Sequence, residues 1–516
     1  MPKEQNMSIQ KYPVGLQDFS EVITRGCVYV DKTSFIEKLI STHKYYFLSR
    51  PRRFGKSLFV STLDYLFRGY GELFKGLYIA DKWKFEEYPV IKISFSNIGY
   101  RTKGLSLAIE DALEASYKTY NLKATAKEEA IDDKFKDLIL ALREKYHQKV
   151  VILIDEYDKP LIDYLDPENL HLAQKNRGIL KSFYSILKDA DPHLKLVFIT
   201  GISKFSQVSI FSDLNNLYDI SLDQEYNSIC GINQKELEKN FAEELKVFDK
   251  EKIKNWYNGY LWDLDAESVY NPFSLLSFFS KGGKFTNFWY TTGTPTFLVE
   301  MCRNQKLYEL SNVELTFIEL NSFNIDNLQL LPILFQTGYL TLSGHDDVLD
   351  TYKLDYPNVE VKSAYLHGLL EMYSYSHEPI SSSLLSGLYN ALKTHSSEDL
   401  TEALNQAFAH IPYDLWQKEN EHFYHAIVHL LFSLLGVYIH SEVHTKRGRA
   451  DALVNFESNV YCLEFKLDQS AAEAIAQIRS QGYVEQYKNQ EDAIHLIGIN
   501  FSSEKKEVEE VIWEEG

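Results

Sequence analysis

The stretch Tyr45-Tyr46-Phe47-Leu48-Ser49-Arg50-Pro51-Arg52-Arg53-Phe54-Gly55-Lys56-Ser57 constrains the fold more than any other part of the chain. An apolar run feeds a basic turn, and the turn opens into an amphipathic segment that starts Lys-Ser. Such a pattern predicts a buried strand, a loop, and a helix over 56–68. Loop N–H groups and a helix N-terminus then converge on one anion, which makes a phosphate cradle of Arg52, Arg53, Phe54, Gly55, Lys56, Ser57 and Leu58. In that geometry Lys56 reaches the β- and γ-phosphates of ATP and Ser57 holds Mg2+. The glycine-rich form of this loop has a first glycine where this chain has Arg50, a residue that disfavours a left-handed backbone. Gly-Lys-Ser also begins ordinary helices, so the triplet by itself decides little.

A second segment decides more. Val150-Val151-Ile152-Leu153-Ile154 is a continuous β-branched and aliphatic run, as expected of a strand buried on both faces, and it ends in Asp155-Glu156. Acidic residues at the carboxyl end of a central parallel strand lie beside a phosphate loop. Asp155 is the candidate Mg2+ ligand and Glu156 the candidate that polarises attacking water. A strand followed by a charged turn explains either segment alone, but poorly explains both together. Lys195-Leu196-Val197-Phe198-Ile199 predicts a neighbouring strand, and Thr200 at its tip is a candidate contact for the γ-phosphate or its water. Val90–Phe95 and Leu217–Leu222 complete a parallel sheet of five strands alternating with helices. Segment 104–147 reads as largely helical, with 124–136 on a solvated face and Leu138, Leu140 and Leu142 toward a core. Gly15, Phe19 and Asp31 to Thr33 are candidates for the adenine side, although capping is the simpler role for each. Arg177, on the helix after the acidic strand, is a candidate arginine finger acting in trans.

At 516 residues the chain exceeds what one core normally serves. Its four cysteines, Cys27, Cys230, Cys302 and Cys462, are scattered without metal-like spacing and suit a reducing compartment. No long apolar run and no basic-then-apolar leader are present, so the expectation is a cytoplasmic protein with no membrane association. A net charge of −19 argues against a protein that coats nucleic acid nonspecifically, while leaving room for a local basic groove.

Beyond Gln234 the pattern becomes helical. Asn271-Pro272 predicts a cap and first turn for a helix over 273–279, in an appendage of the kind that lids a nucleotide. An apolar helix over 328–335 precedes two strands, 338–342 and 352–354, joined by Gly344-His345-Asp346-Asp347. That order suggests a winged-helix-like unit whose acidic turn favours packing over DNA contact.

The C-terminal part carries a second chemical cluster. Glu421 lies on a helix expected over 421–435 with Phe423, Ile427, Leu430, Leu431, Leu434 and Leu435 on its buried side. Gly448-Arg449-Ala450-Asp451 leads into one strand, and Val460–Lys466 forms the next. Glu464 and Lys466 share a strand face because side chains alternate. Alone they would be an ordinary edge-strand ion pair. With Asp451 at the start of the neighbouring strand, two carboxylates and the Phe465 carbonyl suit Mg2+, Lys466 can orient water, and Glu421 can add an oxygen. Gln477 and Tyr483, on a helix expected over 471–487, are candidates to contact the phosphate or the water.

Eight blocks near the N-terminus, among them YPVGLQDFSEV (12–22), FLSRPRRFGKSL (47–58), ILIDEYDKP (152–160) and FITGISKFS (198–206), stand with GRADALV (448–454), LEFKL (463–467) and QIRSQGYVEQY (477–487). On these blocks the chain resembles the bacterial AAA-ATPase-like family fused to a PD-(D/E)XK nuclease-like domain. The resemblance implies an α/β multidomain fold. Its parts are a P-loop NTPase core with a parallel sheet (1–225), a helical lid (226–300), a winged-helix-like middle domain (301–375) and a restriction-endonuclease-like α/β domain (376–516). It also implies that Asp451, Glu464 and Lys466 are the nuclease-type triad.

The leading expectation is an ATPase whose nucleotide state controls a Mg2+-dependent nuclease acting on DNA or RNA. A nucleotide-held switch that binds a protein or nucleic acid without cutting, or self-associates, is the alternative. A phosphotransferase using the same loop is weaker, because no acceptor site is recognisable.

Overall fold

The computed structural model describes residues 11–516 except 124–129, 205–209, 212–213, most of 290–309, 322–324, 374–381, 410–420, 440–451, 457–458 and 486–492. It divides into two compact units, residues 1–297 with 310–361, and residues 298–309 with 362–516.

In the first unit the aliphatic runs form a sheet of β1 (Tyr45–Ser49), β2 (Val90–Ser94), β3 (Val150–Asp155), β4 (Leu194–Gly201) and β5 (Tyr218–Asp219). The order is β2-β3-β4-β1-β5 and every pair is parallel. All positions of β1 and β3 are buried, which a parallel strand covered by helices on both faces requires. The strand β4 separates β1 from β3, with Ser49 opposite Gly201 and Ile154 opposite Ile199. The carboxyl ends of β1, β3 and β4 therefore open side by side. Only two of the six residues expected in the last strand are strand: the Ile220 N–H still donates to the Phe47 carbonyl, but Ser221 turns into side-chain hydrogen bonds with Ser49 and Asp219.

Helices Leu105–Thr119 and Ile131–Tyr146 flank this sheet. In the second of them Leu138 and Leu142 are buried, whereas Leu140 is 38% exposed. The expected alignment of all three fails because a helix turns about 100° per residue, so positions two apart face opposite sides. Nor is the described part of 124–136 wholly solvated: Lys134 and Phe135 are buried, Lys134 paired with Glu110.

Helices Gln234–Asn240, Lys250–Tyr257 and Pro272–Ser280 share an aromatic core of Phe241, Tyr257, Phe278 and Phe279. Asn271 caps the last of them, its Oδ1 accepting from the Phe273 and Ser274 N–H groups. The strands β6 (Val313–Thr316), β7 (Thr341–Asp346) and β8 (Thr351–Asp355) make a small antiparallel sheet in the order β6-β8-β7, preceded at β7 by a helix over Leu330–Thr337. The strand β7 runs through Gly344-His345-Asp346, so the reversal lies at 347–350, later than the sequence pattern implied.

The second unit is built on β9 (Ala452–Phe456), β10 (Asn459–Leu467), β11 (Ala493–Ser502) and β12 (Glu507–Glu515), in the order β12-β11-β10-β9. The strands β10 and β11 are parallel and the outer pairs antiparallel. One face packs Leu453, Val460 and Cys462 against the helix Ala471–Gln481, which ends at Gly482 in a left-handed turn instead of continuing to 487. On the other face Tyr461 stacks on His495 with ring centroids 5.0 Å apart, and His395 lies 4.2 Å from His495.

Burial, and then the neighbouring His395, push the His495 imidazole below its usual pKa. The unfolded chain therefore takes up a proton that the folded chain resists, so stability is full above about pH 6.5 and falls as pH drops below it. Thermal melts from about pH 7.5 down to about pH 5.5 are expected to show a steeper loss in wild type than in His495→Asn.

Candidate functional site

The helix Lys56–Phe67 starts from Gly55 at φ 92°, and Arg53 two residues earlier has φ 67°. Left-handed residues within a turn are the backbone pattern from which anion-binding nests are made. Arg50 is not a positive-φ residue, so the missing glycine imposes no strain. Its guanidinium turns into the protein and donates to the Ser49, Ser221, Tyr226 and Asn227 carbonyls at 2.7–3.4 Å, stacked 3.9 Å over Trp262.

Lys56 is buried, and its ammonium donates to the Arg50 and Pro51 carbonyls at 2.8 Å each. Burial lowers its pKa, with Glu156, Asp155 and Asp158 pulling the other way. Asp155 is 4% exposed and its Oδ1 has no hydrogen-bond partner. Burial raises its pKa, partly offset by the Ser57 hydroxyl. Thr200, one residue beyond the Ile154–Ile199 pair, is buried with an unpartnered hydroxyl.

A cavity of about 440 Å³ is lined by Gly55, Lys56, Ser57, Glu156, Asp158, Pro272 and Phe273, while Asp155 and Thr200 lie behind its lining. Arg52 and Arg53 also line it, Arg53 lying 4.9 Å over the Phe273 ring. A smaller cavity of about 80 Å³ shares Gly55, Leu58 and Pro272 with the first, and Val28, Val30, Ile229 and Ile232 make it apolar. Phe54 contributes to that wall while its ring packs on Tyr260 and Trp262, so it is a scaffold side chain.

Gly15 borders the larger cavity and Lys32 the smaller, but Lys32 is already engaged by Glu236 and the Ser228 carbonyl. Phe19, Asp31 and Thr33 do not line either. Phe19 is core, packed on Tyr29 and Phe74, and Asp31 accepts from the Thr33 and Tyr78 N–H groups. Arg177 pairs within its own unit with Asp326 at 2.8 Å, which leaves the expectation of an arginine finger acting in trans without support.

In the second unit Glu464 is 2% exposed, and Lys466 approaches it to 3.5 Å. Gln477 joins the two, its Nε2 donating to Glu464 Oε1 and its Oε1 accepting from Lys466 Nζ at 2.7 Å. Strand alternation and the helix Ala471–Gln481 over that face bring the three together. Ala452, the residue after Asp451, pairs with Leu463, the residue before Glu464. Asp451 itself, the Glu421 side chain, and Lys446, Arg447 and Arg449 lie outside the described residues. Tyr483 packs in the cluster with Ile475 and Ile478.

Comparison with known proteins separates the two clusters cleanly. The model of a predicted AAA-ATPase matches residues 13–211, and that of the PD-(D/E)XK nuclease superfamily matches 419–511. A protein of Azotobacter chroococcum mcd 1, described as "Uncharacterized protein in vnfD 5'region", is 38% identical over 518 residues, covering 97% of this chain and 98% of its own. The chain belongs to the predicted AAA-ATPase family with a PD-(D/E)XK nuclease-superfamily domain. No solved structure matches it.

Within this AAA-ATPase-like chain, nucleotide-binding and nuclease-like domains are joined in one polypeptide, and no helix among the described residues is long and apolar enough to cross a membrane. Two residues of the AAA-ATPase-like site escape a reading by motif. Arg50 matters as a structural cation, and Asp158 joins Glu156 as a carboxylate lining the cavity, three residues past Asp155. The second Asp of ILIDEYDKP was the available signal for it.

Proposed function

We propose that this AAA-ATPase-like protein binds Mg·ATP at the Gly55–Ser57 turn, hydrolyses it, and through that cycle controls a Mg2+-dependent phosphodiesterase centre at Asp451, Glu464 and Lys466. The observation that carries the first half is the buried Asp155 carboxylate with an unpartnered oxygen, next to Ser57 and beside a buried lysine at a cavity. Buried oxygens without partners are costly, and a hydrated cation is the ligand that satisfies them. Bound Mg2+ would neutralise charge on the phosphate oxygens, held by Ser57 and Asp155. Lys56 leaves its two carbonyls for the β/γ-phosphates, Arg52 and Arg53 flank them, and the base enters the apolar cavity behind Leu58. Glu156 polarises the water and Thr200 orients it. Pro272 and Phe273, in a lid of residues 226–300, close over the site.

For the nuclease-like half, Glu464 is the buried oxygen donor, Asp451 and Glu421 supply further oxygens to Mg2+, and Lys466 balances charge developing at phosphorus. Gln477 keeps the two reacting side chains aligned. The region 301–375 acts as a winged-helix-like connector, and DNA or RNA is the substrate class. The alternative is a switch that binds a protein or nucleic acid, or a second copy, without cutting. The −19 charge favours it, and so does the engagement of Lys466 by Glu464 and Gln477.

Titration calorimetry with ATP and Mg2+, followed by cleavage assays on DNA and RNA with and without nucleotide, tests both readings. Saturable binding with nucleotide-dependent, chelator-sensitive cleavage is expected. Binding without cleavage of any substrate selects the switch, and no binding overturns the proposal.

A further inference from the structure

Asp158 is fully buried, lines the larger cavity, and divides its two oxygens between separate tasks. Its Oδ2 accepts three hydrogen bonds, from the Ile202 N–H at 2.9 Å, the Ser203 N–H at 2.7 Å and the Ser203 hydroxyl at 2.7 Å. Its Oδ1 is buried and has no partner. The close approach depends on Gly201, since a Cβ there would stand 2.7 Å from Oδ1 and 2.6 Å from the Tyr157 ring. One carboxylate thus joins the exit of β3 to the exit of β4.

The turn it holds continues into a buried chain of polar contacts. The Lys204 N–H donates to Gln336 Oε1 at 2.8 Å, and the Lys204 ammonium reaches Asn321 Oδ1 at 2.7 Å and Asp219 at 3.0 Å. Gln336 in turn donates to the Leu320 carbonyl at 3.0 Å. The helix Leu330–Thr337 and the short helix Phe317–Asn321 are therefore fastened to the turn 202–204 by hydrogen bonds that Asp158 organises.

We propose that Asp158 is a positioning residue that reads the terminal phosphate: Oδ1 accepts from a water held at the γ-phosphate end of the cavity, and Oδ2 passes that state through the turn 202–204 to the helices 317–321 and 330–337. The inference rests on the cavity being the triphosphate site. An acceptor sealed from solvent has no source for its missing hydrogen bond except the contents of the cavity. With the phosphate and its water present, the carboxylate is held from both ends. After phosphate release one end is free, and the turn it anchors gains freedom. Glu156 polarises the water; Asp158 fixes where it stands and reports whether it is there.

Asp158→Asn in the full chain is the deciding variant, because asparagine can keep one oxygen on the three donors and change only the unpartnered atom from acceptor to donor. The expected result is ATP affinity within about 3-fold of wild type with kcat lowered at least about 10-fold, a KM-against-kcat split typical of lost orientation. Hydrogen exchange at 202–204, 317–321 and 330–337 is expected to differ between the ATP-bound and ADP-bound wild type, and that difference is expected to vanish in the variant. Ser203→Ala, which removes one of the three donors, is expected to shrink the exchange difference while changing kcat by less than about 3-fold. Wild-type kcat with an intact exchange difference in Asp158→Asn overturns the proposal, as does a parallel loss of ATP affinity and melting temperature, which marks a purely structural carboxylate. If Asp158→Asn does not fold, an unchanged exchange difference in Ser203→Ala overturns it. A wild type that binds no ATP overturns the nucleotide reading as well, and so is told apart from failure of the relay alone.

Discussion

Lys56→Ala is expected to weaken Mg·ATP binding by at least about 100-fold, to the point where titration detects none at ordinary protein concentrations. The size follows from the surroundings of the side chain. Three carboxylates, Glu156, Asp155 and Asp158, lie near enough to act on the lysine, and a triphosphate must be added to that negative field. Removing the buried cation leaves the acids and the phosphates facing each other in a site with little water to screen them. The Arg50 and Pro51 carbonyls lose their donor at the same time, so a modest fall in melting temperature accompanies the loss. Calorimetry at fixed Mg2+ reads the affinity, and a dissociation constant within about 3-fold of wild type would sink the assignment of Lys56.

The second large effect belongs to the other unit. Lys466→Ala and Glu464→Gln are each expected to lower phosphodiester cleavage by about 100- to 1000-fold while ATP turnover stays within about 2-fold of wild type. Glu464 is nearly sealed from solvent with an ammonium 3.5 Å away, so each substitution removes one half of a buried pair. Withdrawing the lysine also takes the donor from Gln477 Oε1, so the loss spreads to the residue that aligns the pair. Parallel assays of cleavage and ATP hydrolysis on the same preparations separate the two centres. Cleavage that survives both substitutions would have to come from somewhere else.

Much of the AAA-ATPase-like half is legible from residue type alone, for a physical reason. Runs such as Val150–Ile154 have no polar side to offer water, so they must be central strands, and the acids that follow them must emerge at the sheet's edge. The loop-to-helix turn at Gly55-Lys56-Ser57 is legible as a helix start that follows a buried strand. Legibility fails where an outcome depends on distant partners. Nothing near Arg50 in sequence announces that carbonyls at 221, 226 and 227 will receive its guanidinium. Leu140 departs from its expected place because a residue two positions from a buried one on a helix faces away from it. The strand β12 has little signal in the sequence because Glu507–Glu515 alternates weakly and is dominated by acids. In the nuclease-like half the pairing of Glu464 with Lys466 follows from period-two alternation, but the seat of Gln477 between them depends on how the helix Ala471–Gln481 lies on the sheet.

A cation caged by four carbonyl oxygens and an indole cannot come out without leaving those buried oxygens short of a donor. By holding the first residue of the turn in this way, Arg50 ties down a backbone position where a glycine would have left a hinge. ATP would then meet a finished mould, and little of its binding energy would go into ordering the backbone that grips it. Sequence patterns that demand glycine at this point will pass over such receptors, which are built by a bulky side chain facing inward rather than by the absence of one.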